Sequence, residues 1–170
     1  HIVNAKKVEG GMAESIMQPE WSHDTDLFFL SDRTGWSNLY RFSDEGSVLE
    51  CGGDFDIAGP LWTLGQSRYA ISHNKEIFIA ARSGESDTLI SNATGAAINN
   101  WATIHSVRCS SSGSPLVVAS THQSGPTIIQ AAPQEEIMHR PKPHGLPSGY
   151  LPNPELHAFP TLVGGKPFAL

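Results

Sequence analysis

The chain is short of charge, of cysteine and of long apolar runs, and each shortage closes off a class of protein. Asp, Glu, Lys and Arg make up 16% of its 170 residues, below the usual quarter for globular chains. The net charge is −6, the wrong sign for a phosphate-binding surface, which needs clustered Lys and Arg. The densest basic stretch, His139-Arg140-Pro141-Lys142-Pro143-His144, is broken by prolines and reads as a solvated linker. Nucleic acid is therefore not an expected partner. Only two cysteines occur, Cys51 and Cys109. They are too few for a disulfide scaffold and read as reduced thiols, which suits a reducing, cytoplasmic setting. No apolar run approaches the roughly 20 residues of a membrane helix, so no membrane partner is expected.

What the sequence does have is turn formers, with 16 Gly and 12 Pro. Between them lie apolar runs of four to six residues, which read as strands joined by hairpins. The first unit runs from Gln18-Pro19-Glu20-Trp21 through Leu27-Phe28-Phe29-Leu30, a turn at Asp32 to Trp36, Asn38 to Phe42, and Ser47 to Cys51. The second opens at Gly59-Pro60-Leu61-Trp62, continues with Glu76 to Ala81 and Asp87 to Ile90, and closes with Ile98 to Trp101. The third keeps Pro115 to Ala119, Thr127 to Gln130 and Glu136 to Met138. Trp21 and Trp62 stand 41 residues apart, and Gly35, Gly84 and Gly125 mark the middle turn of successive units.

A four-stranded unit recurring every 40 to 50 residues or so is the signature of propeller blades. The predicted fold class is all-β, a partial β-propeller of about three four-stranded antiparallel blades followed by an extended Pro-rich connector. The expected division is 1–139 for the blades (approximately 13–53, 54–104 and 105–139) and 140–170 for the connector and the start of a truncated further domain. Both ends look cut, so the chain is expected to be part of a longer protein. Leu162-Val163, Gly164-Gly165 and Phe168-Ala169-Leu170 read as the beginning of another hairpin.

Candidate chemistry is sparse. Gly65-Gln66-Ser67 and Gly84-Glu85-Ser86 begin a Gly-x-Ser-x-Gly pattern but carry Tyr69 and Thr88 in place of the last glycine. A nucleophile elbow needs that sharp turn, so no catalytic residue is assigned. The eight histidines lack the close pairing of zinc ligands, and no metal or other cofactor is expected. Trp21, Trp62, Phe28 and Tyr40 read as packing between blades rather than as a binding platform. Arg33 and Arg82 each precede the glycine turn of a unit. The first expectation for both is solvation or pairing with Asp. The weaker one is contact with a peptide carboxylate or a neighbouring domain.

The stretch Gln18-Pro19-Glu20-Trp21-Ser22-His23-Asp24, then Leu27 to Leu30, Ser31-Asp32-Arg33-Thr34-Gly35 and Asn38-Leu39-Tyr40 resembles a blade of the prolyl oligopeptidase family of serine peptidases. The likeness is to its dipeptidyl-aminopeptidase and acylaminoacyl-peptidase branch. Gly59 to Trp62 with Tyr69-Ala70 is similar to the following blade, and Tyr150 to Thr161 resembles the passage into the hydrolase domain. The family's Asp-Gly turn is here Asp24-Thr25-Asp26. The resemblance implies a propeller segment that gates peptide access and docks on an α/β-hydrolase domain carrying the triad. That domain and a peptide substrate are then the expected partners. The alternative is a TolB-like interaction propeller without enzymatic activity.

Overall fold

The computed structural model describes residues 3–60, 62–155, 157–158 and 168–169. Leu61, the passage Phe159-Pro160-Thr161 and the turn Gly164-Gly165 lie outside the described residues. Among the described residues there is no α-helix. Twelve strands form three four-stranded antiparallel sheets, each with its strands in sequence order.

The first sheet contains β1 (Ile16–Trp21), β2 (Leu27–Ser31), β3 (Asn38–Arg41) and β4 (Val48–Cys51). Its pairing with β2 slips between Met17 and Glu20, where Gln18 adopts φ +45° ahead of Pro19. An edge strand tolerates this, because a proline there forfeits no ladder hydrogen bond. Phe28, Phe29, Leu30, Leu39 and Tyr40 are buried, joined by Ile57 from the segment after β4. Burial of such side chains stabilises by about 1.5–3 kcal/mol each. Phe29 and Tyr40 face each other across the β2–β3 ladder and stack with centroids 6.0 Å apart.

The second sheet contains β5 (Tyr69–Ile71), β6 (Ile77–Ser83), β7 (Ser86–Ser91) and β8 (Ala97–Trp101). The third contains β9 (Thr103–Cys109), β10 (Pro115–Thr121), β11 (Ser124–Gln130) and β12 (Glu136–His139). These two sheets share one apolar core. Ala70, Phe78, Ala80, Leu89 and Trp101 from one meet Ile104, Val107, Val117, Ala119, Ile129 and Ala131 from the other. Along β7 and β10 buried residues alternate with less buried ones, the period of a strand with one face on the core. The peptide bond Ala132–Pro133 is cis. A short pair, β13 (His157–Ala158) with β14 (Phe168–Ala169), follows a 3₁₀ turn at Ser148–Tyr150.

By Cα proximity the chain divides into the compact units His1–Gln66 and Ser67–Leu170. The first sheet lies in the former, the other two in the latter.

Several sequence expectations need correcting in detail. The second sheet opens at Tyr69, not at Pro60-Leu61-Trp62, which accounts for the long gap between Trp62 and Phe78. Trp62 sits in a turn and is 86% exposed, and Trp21, at the end of β1, is 70% exposed. Neither ring is buried as expected, whereas Phe28 and Tyr40 are. Gly35 (φ +92°) and Gly84 (φ +69°) do occupy connections that need left-handed backbone. Gly125 lies inside β11, and the β10–β11 turn falls at His122-Gln123. The strand β9, absent from the sequence reading, provides an edge of the third sheet.

Candidate functional site

Arg33 follows β2 in a loop closed by a Gly35 N–H to Asp32 carbonyl bond of 2.8 Å. Its guanidinium lies 4.5 Å over the Tyr40 ring and 5.6 Å from the Phe29 centroid. Two carboxylates from the segment before β1 hold it: Nη2 is 3.1 Å from Glu9 and 2.6 Å from Glu14, and Nε donates to Glu14 at 2.8 Å. Ser31 Oγ donates to the same Glu14 at 2.5 Å, and Ser47 Oγ donates to Glu9. The Ser47 hydroxyl, with the Arg33 charge, keeps the Glu9 carboxyl below its ordinary value against the opposing effect of burial. The Ser15 N–H does the same for Asp32, again against burial. This is a strap tying residues 9–15 to the first sheet.

Arg82 lies within β6, opposite Asp87 in the β6–β7 ladder, and its Nε donates to Asp87 Oδ1 at 2.7 Å. Its Nη2 donates to the Ala102 carbonyl at 3.1 Å. A second arginine, unremarked in the sequence, completes the group. Arg68 Nη1 donates to Asp87 Oδ2 at 2.9 Å and to the Ile104 carbonyl, and Nη2 donates to the Ala80 carbonyl at 3.1 Å. The Ile104 N–H adds 2.7 Å to Asp87 Oδ2. The Arg68 and Asp87 side chains are 8% and 1% exposed. Burial raises the Asp87 carboxyl, but the Arg68 hydrogen bond and charge, helped by Arg82 and Ile104, outweigh it and leave it below the ordinary aspartate value. One signal was available: Asp87 shares the inward face with Leu89 at period two, a charge where an apolar residue belongs.

Arg33 and Arg82 thus belong to different compact units, and each is paired with carboxylate within its own. That geometry locks loops to sheets.

The two partial nucleophile patterns fare as follows. Ser67 is 0% exposed, and its Oγ donates to the Val107 carbonyl at 2.7 Å. It forms a parallel bridge with Ser106 that links the second and third sheets. Ser86 is the first residue of β7. Neither stands on a strand-to-helix turn. Among the described residues no group of three or more His, Cys, Asp or Glu is placed to hold a metal, and no helix is long and apolar enough to cross a membrane.

No family model matches the chain, and neither does any curated protein. Solved structures do. Puromycin hydrolase superposes on 95% of this chain with TM-score 0.77 at 24% identity. A serine-to-alanine mutant of puromycin hydrolase complexed with PGG gives 95%, 0.78 and 23%. A puromycin-hydrolyzing peptidase from Mycobacterium tuberculosis gives 98%, 0.79 and 20%. The chain spans only about a quarter of each, 26%, 26% and 27% of their lengths. At these identities the likeness is one of fold, and it decides what the three sheets are. The chain holds three blades of a β-propeller.

The repeat that unites the blades is a serine hairpin rather than Pro-x-Trp. Ser22, Ser72 and Ser110 each follow the first strand of a blade. In each case the serine N–H donates to the carbonyl four residues on, Asp26, Glu76 or Ser114, at 2.8, 2.8 and 2.9 Å. Each hydroxyl accepts from that same residue's N–H at 3.1 Å. The residue between them at positive φ is Thr25 (+68°), Lys75 (+66°) or Gly113 (+89°). In sequence the signal is only Ser-His-Asp, Ser-His-Asn and Ser-Ser-Ser, too common to stand out unaided.

Proposed function

We propose that the chain is the non-catalytic propeller segment of a serine peptidase, gating peptide access and docking on an α/β-hydrolase domain of the same parent chain. One observation carries the reading: three blades superposing on about a quarter of a puromycin hydrolase and of a puromycin-hydrolyzing peptidase, as their names describe them. The likeness of Gln18 to Tyr40 to a prolyl oligopeptidase blade supports it from the side of sequence. On this reading residues 1–139 are blades, 140–170 lead into the hydrolase domain, and the substrates are peptides of the dipeptidyl or acylaminoacyl class. The reduced thiols Cys51 and Cys109 suit a cytoplasmic enzyme.

In this arrangement the propeller supplies shape selection, and bond chemistry belongs to the partner domain, which must unite nucleophile, base and oxyanion hole in one place. Arg82, whose side chain is 43% exposed, is the better of the two arginines for meeting a peptide carboxylate at the blade surface. The decisive experiment compares the full-length parent with this chain using a fluorophosphonate probe and chromogenic aminoacyl and dipeptidyl substrates. The parent should be labelled and active, and this chain neither. A parent that is inert and lacks Gly-x-Ser-x-Gly downstream would point instead to a TolB-like interaction propeller. Arg82→Ala in the parent should raise KM with little change in kcat if the arginine positions substrate.

A further inference from the structure

The third blade carries a cavity that neither the packing nor the gating role uses. Its volume is about 370 Å³, within the range of small-ligand sites. The floor is apolar and buried: Trp101 from the end of β8, Ala119 from β10 and Ile129 from β11 all line it. One wall is the segment after β12, which crosses back over β11. A Cβ built on Gly125 would stand 3.4 Å from Pro141 Cγ, an ordinary contact distance, so this wall lies directly against β11.

The rim is cationic. Arg140 and Lys142 both line the cavity, and among the described residues neither makes an ion pair. Glu135 also lines it and keeps its charge while accepting from the Asn99 amide, so the rim sets two cations against one carboxylate. An apolar floor under two uncommitted cations calls for a ligand with an apolar body and an anionic end.

We propose that this cavity binds a carboxylate joined to an apolar side chain, the chemistry of a peptide C-terminus ending in an aliphatic or aromatic residue. The apolar side chain rests on Trp101 and Ile129, and the carboxylate meets Arg140 and Lys142 at the rim. Every one of these lining residues belongs to this chain. The binding test therefore does not depend on a hydrolase domain, and failure of one reading leaves the other standing.

The test is titration of the chain with acetyl-Gly-Phe as the free acid and as its C-terminal amide, followed by the amide and methyl NMR signals of Gly125, Ala119 and Ile129. The free acid is expected to shift these signals saturably, at least about tenfold more tightly than the amide, and more weakly as salt is raised. The exposed double variant Arg140→Ser/Lys142→Ser, checked for an unchanged thermal transition, should lose that preference while keeping weak apolar binding. Acetyl-glycine, which has the carboxylate without the side chain, should bind at least about tenfold more weakly than acetyl-Gly-Phe. Equal binding of acid and amide, an unaltered preference in the double variant, equal binding of acetyl-glycine, or no shift at these residues would each overturn the proposal.

Discussion

Asp87 gathers two arginines and a backbone N–H onto its two oxygens inside the second and third blades. Removing one partner of a buried pair leaves the other charged and unsatisfied, so Asp87→Ala should cost about 3–5 kcal/mol, measured by urea denaturation. The same group sets an acid limit. Its folded carboxyl lies below the ordinary value of 3.8, so its contribution is complete above that pH and disappears as pH falls through the folded value. Wild-type stability should therefore drop below about pH 4, while Asp87→Asn should be flatter there; equal acid slopes would refute the assignment. Tyr40 makes the opposite case. Its ring is 4% exposed, and its hydroxyl is buried with no hydrogen-bond partner among the described residues. Tyr40→Phe removes that desolvated oxygen while keeping the stack on Phe29, so it should be neutral or stabilising by about 1 kcal/mol. A clear fall in melting temperature would show that the hydroxyl is satisfied in solution.

At the scale of the element, the serine hairpin determines how β5 turns into β6 and β9 into β10. The Ser72 hydroxyl satisfies the Glu76 N–H, and Ser72→Ala should cost about 1 kcal/mol. Gly113 is more demanding, because its φ of +89° combines with the His73 ring 3.1 Å from where a Cβ would sit. Gly113→Ala should therefore destabilise by about 1–2 kcal/mol, and by less in a His73→Ala background. Additive effects of the two substitutions would mean that the ring gives way freely and backbone strain alone is at work.

At the scale of the whole chain, apolar side chains stay uncovered on the outer strands. Val48 and Leu49 on β4 and Ile137 and Met138 on β12 are 46%, 51%, 38% and 56% exposed. Edge strands with such residues template further pairing. The purified chain is expected to associate in light scattering, and Leu49→Lys with Met138→Lys should shift it toward monomer. A thermostable monomer in the wild-type chain would be the contrary result.

Strand positions and their order were legible in the sequence, because they rest on local signals: period-two alternation, and Gly and Asp at turns. Leu27 to Leu30, Asn38 to Phe42 and Pro115 to Ala119 were placed on that basis, and the structure has strands there. Tertiary structure alone decided which repeated residues were equivalent. Trp62 copies Trp21 in sequence, yet the place of Trp21 just before the serine hairpin belongs in the second blade to Ile71. Arg68 and Asp87 are likewise joined only by folding, since a contact between β7 and the residue before β5 leaves no trace in either segment's own pattern. Local sequence sets backbone direction and turn geometry. Burial and charge pairing depend on which sheets meet face to face, a property no single stretch of the chain contains.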